Sequence, residues 1–330
     1  QRGAAAAAPC ALPALSLRWS LLLTPGRPLL PRQAPTGAGG AGTATSEVAM
    51  GTDSGEPHPS RATKGVEGEL RQDRHVGEHD ATHWSTTLGQ WLARVAERAG
   101  RALGPTPTLL LILALGAAVA TTMTWLASET YEAVTESEGV ALWDQPMLNA
   151  SVALRSAWLD WSVTAYTDLG GKVVMPVLAV CIMTLLALRR RSWTPVILIS
   201  AAGIGSVLMT IAGKDLIGRA RPPLTSAVPP YEHSASFPSG HTLNAVVIAG
   251  IVAYLIILRQ RSGRGRALPV TVATLFATMM GLSRVYLGHH WFTDVLAAWV
   301  LGLAWLTVVV TAHRLYLTAR ERIEPSPGSR

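Results

Sequence analysis

At 330 residues, 49% hydrophobic and only 15% charged, the chain is too apolar for an ordinary pair of soluble domains. A net charge of +7 would suit a nucleic-acid binder, but the basic residues gather at the ends of apolar runs, which argues for membrane topology and against nucleic acid. The two cysteines, Cys10 and Cys181, allow neither a disulfide framework nor a thiolate metal cage.

Residues 1–85 are rich in Ala, Gly, Pro, Ser and Thr without helical or strand periodicity, a composition that buries no core, and they are expected to form a disordered arm. The first methionine is Met50, so the residues before it are candidates for an upstream extension of the reading frame. The apolar stretch at 12–23 is short and broken by Pro13 and Arg18, which weighs against a signal peptide. Over 86–106, Trp91, Leu92 and Val95 alternate with Arg94 and Arg98, and the pattern predicts an amphipathic helix at the inner interface or a solvated helix extension.

A membrane domain over 107–312 follows, with six apolar stretches near the roughly 20 residues that a hydrocarbon core demands: 107–127, 172–188, 194–213, 241–258, 267–283 and 291–312. The second and fifth are the shortest. Between the first two, Trp143, Trp158 and Trp161 lie among apolar residues at near-helical spacing, which predicts an interfacial helix that Asp168-Leu169-Gly170-Gly171 interrupts. Arginines follow the second span (Arg189, Arg190, Arg191), the fourth (Arg259, Arg261, Arg264, Arg266) and the sixth (Arg314, Arg320, Arg322). Arg94, Arg98 and Arg101 precede the first, whereas Glu129, Glu132, Glu136, Glu138 and Asp144 follow it. The asymmetry places both termini, including a tail at 313–330, in the cytoplasm. The expected fold is therefore all-α and polytopic, with about six transmembrane helices, in the plasma membrane.

Three polar clusters fall at the outer mouths of spans three to six, and ionisable groups at a membrane boundary are costly unless they serve a purpose. The first runs from Lys214 to Pro222. Lys214 and Arg221 are two helical turns apart, so a helix continuing through both would aim them at one anion; snorkelling at a helix end is the competing reading. The second is Pro238-Ser239-Gly240-His241, where a helix beginning there would offer unpaired N–H groups to phosphate, with Ser239 as cap or donor and Gly240 allowing close approach. Alternatively it is a plain serine cap. The third runs from Ser283 to Asp294, in which His290 and Asp294 stand at i,i+4; on a helix the carboxylate would orient the imidazole, or the pair would serve only as a structural cap.

Together the clusters read K-x6-R-P, P-S-G-H and S-R-x5-H-x3-D without a substitution. In this the chain resembles the type 2 phosphatidic acid phosphatase superfamily, in its membrane-bound lipid phosphatase branch, and the resemblance covers roughly 107–312. It implies a hydrolase that needs no metal or cofactor and cleaves a phosphate monoester or diphosphate of a membrane lipid: phosphatidic acid, phosphatidylglycerol phosphate or a polyprenyl diphosphate such as undecaprenyl diphosphate. His290 would be the nucleophile that becomes a phosphohistidine, Asp294 would orient it, and His241 would act as general acid and base. Lys214, Arg221, Ser239, Gly240 and Arg284 would hold the phosphate. His289, at i,i+5 from Asp294, should face elsewhere. Tyr231, Glu232 and His233 could tune headgroup choice or form an ordinary polar loop. A phosphotransferase of the same architecture, or a non-catalytic anion-binding transporter or scaffold, would carry similar charges; acceptor-product analysis and the effect of losing His290 separate them.

Overall fold

The computed structural model describes residues 73–76, 79–134, 139–260 and 262–323. Most of the expected arm, with its Met50 boundary and the stretch at 12–23, lies outside the described residues, as does the end of the tail after 323. Apart from two short strands, β1 (His75–Val76) and β2 (His79–Asp80), and the connecting loops, the described chain is helical. The helices are α1 (Thr87–Leu103), α2 (Pro105–Val134), α3 (Asp144–Ala153), α4 (Ala157–Thr167), α5 (Val174–Arg190), α6 (Thr194–Ile217), α7 (Gly240–Ile257), α8 (Gly263–Tyr286) and α9 (Phe292–Ile323).

Local chemistry sets most boundaries. Thr86, Ser156 and Ser262 cap α1, α4 and α8 by accepting from the N–H three residues on, while Pro195 opens α6, where a missing N–H costs nothing. Gly218 ends α6 in the left-handed region at φ 59°, where glycine carries no steric penalty.

Four helices are each long and apolar enough to cross a membrane: α6, α7, α8 and α9 over Phe292–Arg320. A fifth crossing exists if Ala157–Gly170 and Val174–Arg190, bent by 51°, count as one span. The first expected span is helical over Pro105–Val134, and its described side chains form an apolar stretch over Pro105–Ala118. The six expected segments are thus all helices, and four or five of them span by length and composition among the described residues. Ile204, Val207 and Ile211 on α6, Val272 and Leu275 on α8, and Val300 and Leu303 on α9 point outward, as hydrocarbon-facing residues do.

The core runs between α6, α7 and α9, where Leu198, Ala202, Leu243, Val247, Trp305 and Val309 are buried. Small residues let the backbones close: a Cβ on Gly205 would overlap the Trp305 indole, and one on Gly302 would meet Val246 at 2.8 Å. At the end of the bundle bearing Arg190 and Arg259, residues 73–76 and 79–84 depart from the expected disorder. Asp73, fully buried, pairs with Arg259 at 2.9 Å and Arg190 at 3.3 Å, and Arg314 stacks 4.4 Å from the Trp84 ring. Helix α1 lays Ala93 and Ala96 on Leu315 of α9 and leaves Leu88, Trp91 and Val95 exposed. The aromatic segment between α2 and α5 is two helices, α3 and α4, with Trp143, Trp158 and Trp161 exposed.

Candidate active site

The three motif clusters meet at the opposite end of the bundle, where α6 and α8 end and α7 and α9 begin. Helix α8 stops at Tyr286, and the chain turns through Gly288 at φ 69°; a Cβ there would overlap the Ser226 carbonyl, so glycine alone fits. This turn aims the His289 and His290 N–H groups back at the Arg284 carbonyl, at 3.0 and 3.3 Å. His290 is thereby pinned to the same residue whose guanidinium faces the site.

His290 precedes α9 instead of lying on it, so its link to Asp294 is not a helix-face pair as the i,i+4 spacing suggested. Asp294 occupies the third position of α9, and its Oδ2 accepts the Trp291 N–H at 2.9 Å, a side chain reaching back to the residue before the helix. The same Oδ2 lies 3.4 Å from His290 Nδ1 and accepts from Ser236 Oγ at 2.5 Å. Because a carboxylate only accepts, Nδ1 carries the proton toward Asp294. The other ring nitrogen, Nε2, keeps its lone pair and faces Arg221 Nη1 at 3.2 Å. Burial pushes the His290 pKa down to about 4 against the pull of Asp294, with Arg221 and Arg284 adding to the decrease. The imidazole is therefore neutral at physiological pH.

Arg221 is not reached by a continuing helix. Gly218 ends α6 four residues after Lys214, and Arg221 enters from an irregular segment, held by the Ser234 carbonyl (2.6 Å) and the His289 carbonyl. Lys214 bonds Ser234 Oγ at 3.3 Å and the Ala235 carbonyl, so the two cations converge on one loop by a different route. Arg284, buried at 1% exposure, donates to Thr167 Oγ1 at 3.2 Å, and its Nε has no partner among the described residues. His241, on the first turn of α7, is near enough to Arg284, Glu232 and His290 to feel their charges. Its ring packs on Gly170, where a Cβ would come within 3.2 Å of Cδ2.

Ser239 does precede α7, but its hydroxyl turns to Thr242 Oγ1 at 2.9 Å and caps no N–H, while its backbone N–H donates to the Asp294 carbonyl at 3.3 Å. Gly240 lies against Thr210, with 3.1 Å between a built Cβ and Cγ2. His289 points away as expected, donating from Nε2 to the Val228 carbonyl at 2.7 Å.

Glu232 has more to do than line a polar loop. Its carboxylate joins Arg221 Nη2 at 2.9 Å and Arg284 Nη2, spanning the two guanidiniums where a phosphoryl group would bridge them. Burial alone would raise its pKa, yet Arg284 and Arg221 outweigh burial and hold it at about 2. Beside it opens a cavity of about 480 Å³ lined by Arg219, Arg221, Glu232, His233 and Ser234. Sequence reasoning passed over Arg219, Asp144, Ser236 and Thr167. Arg219 fills a variable position of its motif, and the other three are distant polar residues of ordinary appearance.

Three similarities accompany this geometry. The sequence pattern of the PAP2 superfamily matches residues 193–316. Phosphatidylglycerophosphatase B of Bacillus subtilis (strain 168) is 32% identical over 161 residues, which are 48% of this chain and 78% of that protein. The crystal structure of a transmembrane PAP2 type phosphatidylglycerolphosphate phosphatase from Bacillus subtilis superposes with a TM-score of 0.51 at 29% identity, covering 57% of this chain and 93% of that one.

Proposed function

The chain belongs to the PAP2 superfamily and is a membrane-embedded lipid phosphatase, and from that premise we propose that it hydrolyses phosphatidylglycerol phosphate, without a metal, through a phosphohistidine at His290. The observation that carries this reading is the polarised imidazole of His290, with Nδ1 toward Asp294 and a lone pair on Nε2 facing Arg221.

In the first step Nε2 forms a bond to phosphorus while the bond to the lipid oxygen breaks. Asp294 stabilises the positive charge that builds on the ring, and His241 gives a proton to the departing alkoxide. In the second step His241 takes a proton from water as its oxygen attacks phosphorus, and the phosphate leaves His290 as free imidazole. Arg221, Arg284 and Lys214 hold the equatorial oxygens through both steps, supplying the charge that metal-dependent phosphatases draw from cations, with Ser239 and the Gly240 N–H completing the cradle. Glu232 must leave the two guanidiniums before phosphate can take them.

The name of the Bacillus relative supports the choice of phosphatidylglycerol phosphate over phosphatidic acid or a polyprenyl diphosphate, and the cavity beside Glu232 is large enough for a glycerol headgroup. The arginines gathered at the other end of the bundle, Arg190, Arg259, Arg314 and Arg320 among them, support an extracytoplasmic site with both termini cytoplasmic. Purified enzyme in detergent should release phosphate in the presence of EDTA, and orthovanadate should block it. Undiminished turnover in His290→Ala would remove the basis of the assignment.

A further inference from the structure

The proposed mechanism rests on Asp294, and the structure surrounds that carboxylate with partners drawn from far along the chain. Arg219 Nη1 donates to Asp294 Oδ1 at 2.6 Å and to Thr293 Oγ1 at 2.8 Å, while Nη2 donates to Asp144 Oδ2 at 2.7 Å. Asp144, at the start of α3 and only 6% exposed, accepts the Thr293 N–H at 2.8 Å and the Thr293 hydroxyl at 2.7 Å. It is therefore clamped to the first turn of α9, the turn that carries Asp294. The Arg219 guanidinium also lies 5.6 Å from the Trp291 ring, next to His290 in sequence.

The two oxygens of Asp294 are thus divided. Oδ2 faces His290, Ser236 and the Trp291 N–H, and Oδ1 faces Arg219. One guanidinium is shared between two buried carboxylates, so the cluster keeps one net negative charge. How firmly Asp144 holds Arg219 sets how much of that charge Asp294 presents to the imidazole, because buried charges are weakly screened. The planar guanidinium bridges the two carboxylates, one through each terminal nitrogen, which a lysine at 219 would do less well.

Resting on the reading of His290 as nucleophile, we propose that Arg219 and Asp144 are positioning residues, an outer ion pair that orients Asp294 and sets the charge His290 experiences. Arg219 borders the cavity beside Glu232, but its terminal nitrogens are taken by Asp294, Thr293 and Asp144.

The test uses full-length enzyme in detergent with phosphatidylglycerol phosphate, comparing Arg219→Gln, Arg219→Lys, Asp144→Asn and His290→Ala with wild type. Arg219→Gln should lower kcat roughly 10- to 100-fold, since a small misplacement of a reacting group costs on that order, with KM within about threefold. Arg219→Lys should recover part of the loss. The pH profile separates charge tuning from mere structural support. Arg221, Arg284, Glu232, His241, Ser236 and Asp294 surround His290 and are the same in every variant. Removing the Arg219 cation leaves Asp294 more negative toward His290, so the acidic limb of kcat should move to higher pH. Removing the Asp144 anion leaves Arg219 less compensated, so the limb should move to lower pH. Shifts in the same direction, or wild-type kcat and profile in both variants, would overturn the proposal. Should Arg219→Gln not fold, as judged by melting temperature, Asp144→Asn decides by the direction of its shift alone. Activity retained in His290→Ala would overturn the proposed function itself, whereas an inactive His290→Ala beside unaltered Arg219 and Asp144 variants would overturn the positioning role alone.

Discussion

Replacing Asp294 with asparagine probes the site at the atom where geometry and charge meet. Asp294 is fully buried and its oxygens accept from Arg219 Nη1 (2.6 Å), Ser236 Oγ (2.5 Å) and the Trp291 N–H (2.9 Å), with His290 Nδ1 at 3.4 Å. An asparagine NH2 must occupy one of the two oxygen positions. On one side it opposes the guanidinium, and on the other it opposes the hydroxyl and the N–H, so either orientation sets donor against donor. Breaking a buried pair costs about 3–5 kcal/mol, and the lower end applies because Asp144 still pairs with Arg219. The chemical loss is separate: without a carboxylate the imidazole loses its fixed tautomer and the anion that stabilises its cationic form. In a serine-protease triad the same change lowers kcat about 10⁴-fold, and roughly 10³- to 10⁴-fold is expected here, or about 4–5.5 kcal/mol of transition-state stabilisation. Phosphate release from phosphatidylglycerol phosphate in detergent, beside a thermal melt, measures both. A folded Asp294→Asn enzyme with kcat within threefold of wild type would refute the reasoning.

Other outcomes follow from neighbouring contacts. Glu232→Gln removes the carboxylate that competes for Arg221 and Arg284, so inorganic phosphate should inhibit more strongly, by roughly tenfold for each ~1.4 kcal/mol of competition relieved; an unchanged inhibition constant would show that Glu232 does not compete. His290 and His289 both have pKa values pushed down to about 4, His290 by burial, His289 by burial and then Arg284. An unfolded histidine protonates near 6.5 and these folded ones do not, so their contribution to stability is complete above about pH 6.5 and is lost as pH falls toward 4. Melting temperature against pH should accordingly fall less steeply in His289→Gln, and an identical slope would contradict the shift. Gly170→Ala should lower kcat about tenfold, because the new methyl would stand 2.7 Å from Met280 Sδ and 3.2 Å from His241 Cδ2. Wild-type turnover there would mean that Met280 yields and His241 does not move.

Much of this molecule is legible in its sequence for a simple reason. A hydrocarbon core demands long apolar helices, so the segments at 107–127, 194–213, 241–258 and 291–312 announce themselves, and the shorter runs at 172–188 and 267–283 are harder to read for the same reason. The motif residues were also legible, because Arg221, His241, Arg284, His290 and Asp294 sit at fixed spacings within short segments. How they are brought together was not. Spacing put Lys214 with Arg221, and His290 with Asp294, on continuous helices, whereas Gly218 and Gly288 turn the chain sharply and bring the same side chains together from loops. Contacts such as Asp144 with Arg219, or Thr167 with Arg284, join residues 75 and 117 positions apart, and no local pattern marks either partner. The hairpin near Asp73 escaped notice because its order comes from a buried ion pair with Arg190 and Arg259, and its own composition is that of a loop.

The central claim is covalent, and trapping the phosphoenzyme tests it most directly. Enzyme mixed with phosphatidylglycerol phosphate labelled in the terminal phosphate, then quenched in alkali within one turnover, should carry label on the peptide containing His290, stable to base and lost in acid. The label should be absent in His290→Ala. Turnover by wild-type enzyme with no trapped label under these conditions, or label on any other residue, would contradict the account.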